Sequence, residues 1–323
     1  MTNFQVYRKI ISFSLLMFAV DLLALAVFGG LSVAGFFIGL GSSTDGSGAI
    51  IGLIIGFILG VIGASLITIF IGNRIKAAQI AMMTKGVTEG QLPDQTFKAG
   101  FEEIRGRFGK ITTFYFITRA IKGLFRQMGR GLNAIGTAVG GDAGNSVTSV
   151  IDSAIQTLIS YLCDCCLGWI MYRSEQNSFK AGCEGAVIFF KHGKTLLRNA
   201  GRIFGMGFLS LLLIGGAFFG ISMFVFFVAA PGLLDPLAAE MVKLMDEAPS
   251  WIADATLFKI IFGAFVGIIM WSVLHSVLIR PFILTGVLRN YMAAGIKDLP
   301  TEKDFAEMEA KYPKFGKLYN RIG

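Results

Sequence analysis

Four long apolar runs alternate with polar, mostly basic stretches along the chain. Residues 10–40 are broken only by Asp21, and residues 49–71 and 203–234 carry no charge. Residues 260–279 have His275 as their one ionisable side chain. A helix rising 1.5 Å per residue crosses the hydrocarbon of a bilayer with about 20 predominantly apolar residues, and each run meets that length. The stretch GSSTDGSG joining the first two is short enough only for a hairpin tip, so they predict one antiparallel hairpin. The last two predict a second hairpin. Its connection carries Asp235, Glu240, Asp246, Glu247 and Asp254 against Lys243 and Lys259.

The middle of the chain is amphipathic rather than uniformly apolar. At 100° per residue, Arg119, Lys122, Arg126, Arg130 and Asn133 fall in one narrow sector, opposite Phe114, Ile117, Ile121, Leu124, Met128, Leu132 and Ile135. After a glycine-rich tip, residues 147–172 carry a second polar stripe of Ser149, Asp152, Gln156 and Ser160, ending near Asp164. Two readings follow. In one, the segments form a third spanning hairpin whose stripes face each other, pairing Arg119 with Asp164, Arg130 with Asp152 and Arg126 with Gln156; charges in hydrocarbon require such pairing. In the other, they lie on the inner leaflet with basic side chains snorkelling to the headgroups. The expected fold is therefore an all-α integral membrane protein. It is a polytopic bundle of about six transmembrane helices in three antiparallel hairpins, 10–72, 111–172 and 203–290. The alternative has four spans plus an amphipathic helical hairpin on the inner leaflet.

Charge orients either arrangement. Basic residues gather in 1–9, in the segments 73–110 and 173–202, and from Arg280 through 292–323, whereas the expected outer loops hold only Lys243 and Lys259. The positive-inside rule then places both termini on the cytoplasmic or equivalent side, with the whole chain one transmembrane domain. Only 15% of residues are charged, against about 25% in soluble domains. The net charge of +8 sits beside apolar spans, which points to anionic lipid rather than nucleic acid. The inner segments also share a pattern: FKAGFEEIRGRFGK, FKAGCEGAVIFFKHGK and FAEMEAKYPKFGK each follow a hairpin. Either a triplication or convergent amphipathic composition accounts for it.

Small residues recur every fourth position in the second run: Gly48, Gly52, Gly56, Gly60, Ala64, Thr68 and Gly72. This keeps one helix face flat for close approach, either to the first helix of the same chain or to a second copy or complex partner. Asp21 is an intramembrane acid able to take a proton or a cation, unless it lies near the inner interface. Cys163, Cys165, Cys166 and Cys183 lack a standard zinc-ligand spacing and read as small apolar packing. No Walker A, Gly-x-Ser-x-Gly or His-Glu-x-x-His motif is present. No enzyme, cofactor or metal site is expected.

The stretch KTLLRNAGRIFGMGFLSLLLI, following the cysteines, resembles the later part of choline transporter-like proteins. With no diagnostic motif, the resemblance implies no substrate and no site residue. Two functions fit the residues. A transporter or channel for a small polar or anionic solute would line its route with Asp21, Arg119, Lys122, Arg126, Arg130, Asp152, Gln156 and Asp164. A non-catalytic subunit or lipid-binding scaffold would use the glycine ladder for assembly and the basic segments to grip lipid.

Overall fold

The computed structural model describes residues 1–42, 47–108, 118–124, 126–127, 145–243 and 249–319. All regular structure among them is helical. Among the described residues, four helices are long and apolar enough to cross a membrane: Asn3–Ser42, Gly48–Thr88, Gly201–Ala229 and Ala255–Lys297. The first, second and fourth have 40, 41 and 43 residues. At 1.5 Å per residue that is about 60 Å, twice the hydrocarbon thickness. These helices outrun their apolar stretches because nothing stops them where the polar residues begin. The second ends only near Gly90, whose φ of 72° suits a residue without a Cβ, with Pro93 following.

The chain divides into two compact units. Unit 1 contains Met1–Ser14, Arg74–Gly205 and Arg280–Gly323; unit 2 contains Leu15–Asn73 and Met206–Ile279. Every lysine and arginine except Lys243 and Lys259 falls in unit 1, as do both terminal segments.

Unit 2 is apolar outside as well as inside. Phe37, Ile38, Phe208, Leu213 and Val228 are all more than 60% exposed, a surface that soluble monomers avoid and lipid accepts. Its first hairpin is closed by the glycine ladder. A Cβ on Gly52 would fall onto the carbonyl oxygen of Gly35, and one on Gly56 onto that of Leu31. On Gly60 it would come within 2.8 Å of the Phe28 oxygen, and Gly39 of the first helix abuts Gly48 in the same way. Glycine is required at these positions because backbone meets backbone. Of the two partners expected for the ladder, the first helix of the same chain occupies it. The second hairpin repeats the device, with Gly267 against the Gly215 oxygen and Gly263 against Met223 and Ser222. At its far end Phe226, Leu234, Ala238, Ile252 and Phe258 form a small core. Beside it, Lys259 bonds the Pro231 carbonyl and pairs with Asp235 at 2.8 Å.

π-helical turns interrupt three of the spans, at Thr68–Gly72, Leu211–Gly215 and His275–Ile279, and a fourth turn, Val225–Ala229, ends the third span. The turn His275–Ile279 immediately precedes Arg280 and Pro281. Proline has no N–H to offer the carbonyl one turn back, and its ring crowds that carbonyl, so the helix widens before it.

Unit 1 is built like a soluble helical domain. Trp169, Tyr291, Phe13, Phe315, Ile75, Ile80, Met82 and Met83 are fully buried. Its central helix is Asn145–Tyr172, against which Arg280–Lys297 packs. Residues 161–171 of that helix are buried on every side. Gly168 admits Leu288 and Thr84, while Gly295 admits Trp169. The third spanning hairpin therefore finds no support. The stretch 161–171, apolar but for Asp164, is covered by protein, a burial that lipid would otherwise have to supply, and residues 128–144 lie outside the described residues.

Candidate functional site

The most concentrated chemistry in unit 1 is at Asp164. On the central helix, Ser160, Tyr161 and Asp164 share one face because residues three and four apart are neighbours. Asp164 is buried, its side chain only 6% exposed, and two cations reach it from other helices. The Lys76 ammonium lies 2.7 Å from Oδ1. The Arg280 Nη2 donates to Oδ2 at 2.8 Å and to the Ser160 hydroxyl at 2.6 Å. The guanidinium also sits 5.4 Å from the centre of the Tyr161 ring, a cation–π distance. Burial alone would raise the Asp164 carboxyl, but the charges of Lys76 and Arg280 outweigh it and hold the group below its ordinary value. The neighbouring Cys163 thiol is pushed up to about 12, first by burial and then by the Asp164 charge.

Helix geometry explains why these cations are available. Lys76 and Arg280 each lie just past the end of an apolar run, 49–71 and 260–279, on helical segments that carry on from the π turns Thr68–Gly72 and His275–Ile279. Their stems pack in unit 1 while 30% and 28% of each side chain stays exposed. A buried ion pair is tolerated when its remaining valences are satisfied. Here the carboxylate accepts from both cations and Ser160 takes one further donor, while the Arg280 Nε has no partner among the described residues.

The pairing expected between the two polar stripes is not what satisfies Asp164. Arg119, Lys122 and Arg126 lie in the helical residues 118–124 and 126–127 and are exposed, while Ile121 and Leu124 on the other face are buried. The amphipathic pattern thus holds, with the apolar face against protein. Asp164 takes Lys76 and Arg280 in place of Arg119, because cations whose stems already lie in the core reach a buried carboxylate without burying a new charge. Gln156 is exposed. Asp152 is helical, and Arg130 lies outside the described residues. The cysteines are buried and unbridged, with Cys166 Sγ donating to the Gly182 carbonyl at 3.3 Å. Among the described residues, no group of three or more His, Cys, Asp and Glu side chains could hold a metal.

Unit 2 holds a second polar contact. Asp21, half-buried on the first helix, accepts a hydrogen bond of 3.4 Å from Ser276 in the π turn of the fourth. Ser276 also donates to the Val273 carbonyl at 2.8 Å. One turn of helix away, Trp271 Nε1 donates to Ser210 of the third span at 3.0 Å. Sequence reasoning found Asp21 and Asp164 but missed Lys76, Arg280 and Ser276. The available signal was positional: a cation within a few residues of the end of each of two apolar runs, Lys76 after Arg74 in one and Arg280 in the other.

Comparison with protein-family models, curated proteins and solved structures finds no match to this chain, so the resemblance of residues 194–214 to choline transporter-like proteins gains no support.

Proposed function

We propose that this chain is a four-span membrane scaffold, a non-catalytic subunit whose basic helical unit rests against anionic lipid on the cytoplasmic or equivalent side. What supports this reading is the fate of the charges. A conduit would turn them toward a shared polar path. Instead Asp164 is satisfied by Lys76 and Arg280 inside unit 1, and Arg119, Lys122 and Arg126 point outward. Exposed lysine and arginine beside apolar spans are what negatively charged headgroups attract, each worth about 1 kcal/mol near such a surface. The positive-inside rule assigns the inner side to the unit that holds nearly all of them. Purified protein reconstituted into liposomes is expected to pass no small anion above the protein-free rate. Flux that falls with Arg126→Ala would overturn the scaffold reading.

A second reading rests on the contact between Asp21 and Ser276, a carboxylate inside a span set against a π turn, where irregular backbone often serves function. In that reading the protein moves protons or cations. Proton flux abolished by Asp21→Asn would establish it, and absence of flux in both proteins would dismiss it.

A further inference from the structure

The ion pair at Asp164 is unbalanced. Lys76 and Arg280 bring two positive charges to one carboxylate. Lys122 and Arg126 are close enough that their charges act on the Cys163 thiol beside it, and Lys122 also acts on Lys76. With Lys76 and Arg280 on the carboxylate, four cations therefore act in this part of unit 1, and Asp164 is the one acid ion-paired with any of them among the described residues. Like charges gathered in this way repel one another unless something neutralises them. Donors are also left over. Among the described residues, the Arg280 Nε and the hydroxyls of Tyr161 and Thr118 are buried with no hydrogen-bond partner. Tyr161 is only 2% exposed, and Thr118 stands one helical turn before Lys122. Buried donors of this kind are normally satisfied.

We propose that Lys76, Lys122, Arg126 and Arg280 form a binding site for a phosphate group, neutralising the surplus charge around Asp164. Phosphate suits the set because a guanidinium grips it through paired N–H donors and an ammonium adds a point charge. Lys76, Lys122 and Arg280 are partly or fully exposed, so the group approaches from outside while Asp164 stays covered. The same chemistry is offered by the headgroup of an anionic lipid and by free phosphate. The position of Lys76 and Arg280 just beyond two apolar runs is where a headgroup would meet them. This inference rests on the scaffold reading and names what its basic face would hold.

The test uses full-length protein in nanodiscs and the variant Lys122→Gln/Arg126→Gln, both exposed positions whose replacement leaves the core intact. A variant of equal charge, Lys303→Gln/Lys317→Gln, removes two exposed cations elsewhere in unit 1. In the first arm, phosphatidic acid is titrated into phosphatidylcholine discs and retained lipid is read by native mass spectrometry. In the second, inorganic phosphate replaces chloride at matched ionic strength in phosphatidylcholine discs, with the thermal midpoint as readout. A saturable response that Lys122→Gln/Arg126→Gln weakens about tenfold, and the control leaves unchanged, supports the site; the responding arm identifies the source. Equal responses in all three proteins, or none in either arm, overturn it. The liposome flux measurement is independent of both arms, so failure of the scaffold reading and failure of the phosphate site remain distinguishable.

Discussion

Replacing Asp164 with asparagine removes the negative charge on which Lys76 and Arg280 converge while nearly preserving its shape. Deleting one partner of a buried pair costs about 3–5 kcal/mol, because the charges left behind are uncompensated. Both cations here are nearly one-third exposed, so water relieves part of that cost, and the lower end of about 3 kcal/mol is expected. For a unit of this size each kcal/mol moves the midpoint by about 2–4 °C, giving a fall of about 6–12 °C. Trp169 lies in the core beside the site. Its fluorescence, with Trp251 and Trp271 replaced by Phe, reports the melting of unit 1 in nanodiscs. Replacing the whole set, as Lys76→Met/Asp164→Leu/Arg280→Met, should recover most of the loss, since an apolar substitute of similar volume is often neutral or stabilising. The linkage has a definite sign. The carboxyl is held below its ordinary value in the folded state, so its contribution is complete above the unfolded value of about 3.9 and is lost as pH falls below that. Wild type and Asp164→Asn should therefore differ by a constant amount from pH 7 to pH 5 and converge in stronger acid. A midpoint for Asp164→Asn within about 1 °C of wild type would refute the reasoning, as would a triple variant no more stable than the single one.

Other substitutions probe the packing. Gly52→Ala, whose new Cβ would meet the Gly35 carbonyl, should destabilise unit 2 by about 1–3 kcal/mol in heat or detergent unfolding followed at Trp271. Gly30→Ala, with nothing within 4 Å, should be neutral or slightly stabilising; equal effects of the two would contradict the proposed contact. The thiols of Cys163 and Cys183 are pushed up to about 12, chiefly by burial, and Cys165 and Cys166 are fully buried. A maleimide at neutral pH should therefore label the folded protein far more slowly than the unfolded chain, in which all four react. Rapid labelling before denaturation would show that the cysteines do not pack as described.

The four spans are legible in the sequence because length and uniform apolarity are local properties. The partner of the glycine ladder is nearly so, since a short tip brings Gly35 and Gly39 opposite Gly52 and Gly48. Two features defeat that kind of reading. Apart from Asp164, residues 161–171 are apolar all round, a pattern that a membrane span and the central helix of a protein core share. The partners of Asp164 lie far along the chain in both directions, and no periodicity connects Lys76 or Arg280 to it. Arg119 looked like the partner because a hairpin register placed it opposite; the residues that reach Asp164 sit on helices prolonged beyond their spans. How far those helices would continue could not be read from hydropathy, which marks where lipid ends and not where a helix does.

The central claim is that the chain crosses the membrane four times and that everything between the second and third spans stays on one side. A cysteine placed at Gly141, in a chain with its native cysteines replaced by alanine, tests this directly. A membrane-impermeant maleimide is expected to label it only from the side that carries the two termini. Labelling from the opposite side would restore the third spanning hairpin and remove the ground on which the scaffold reading stands.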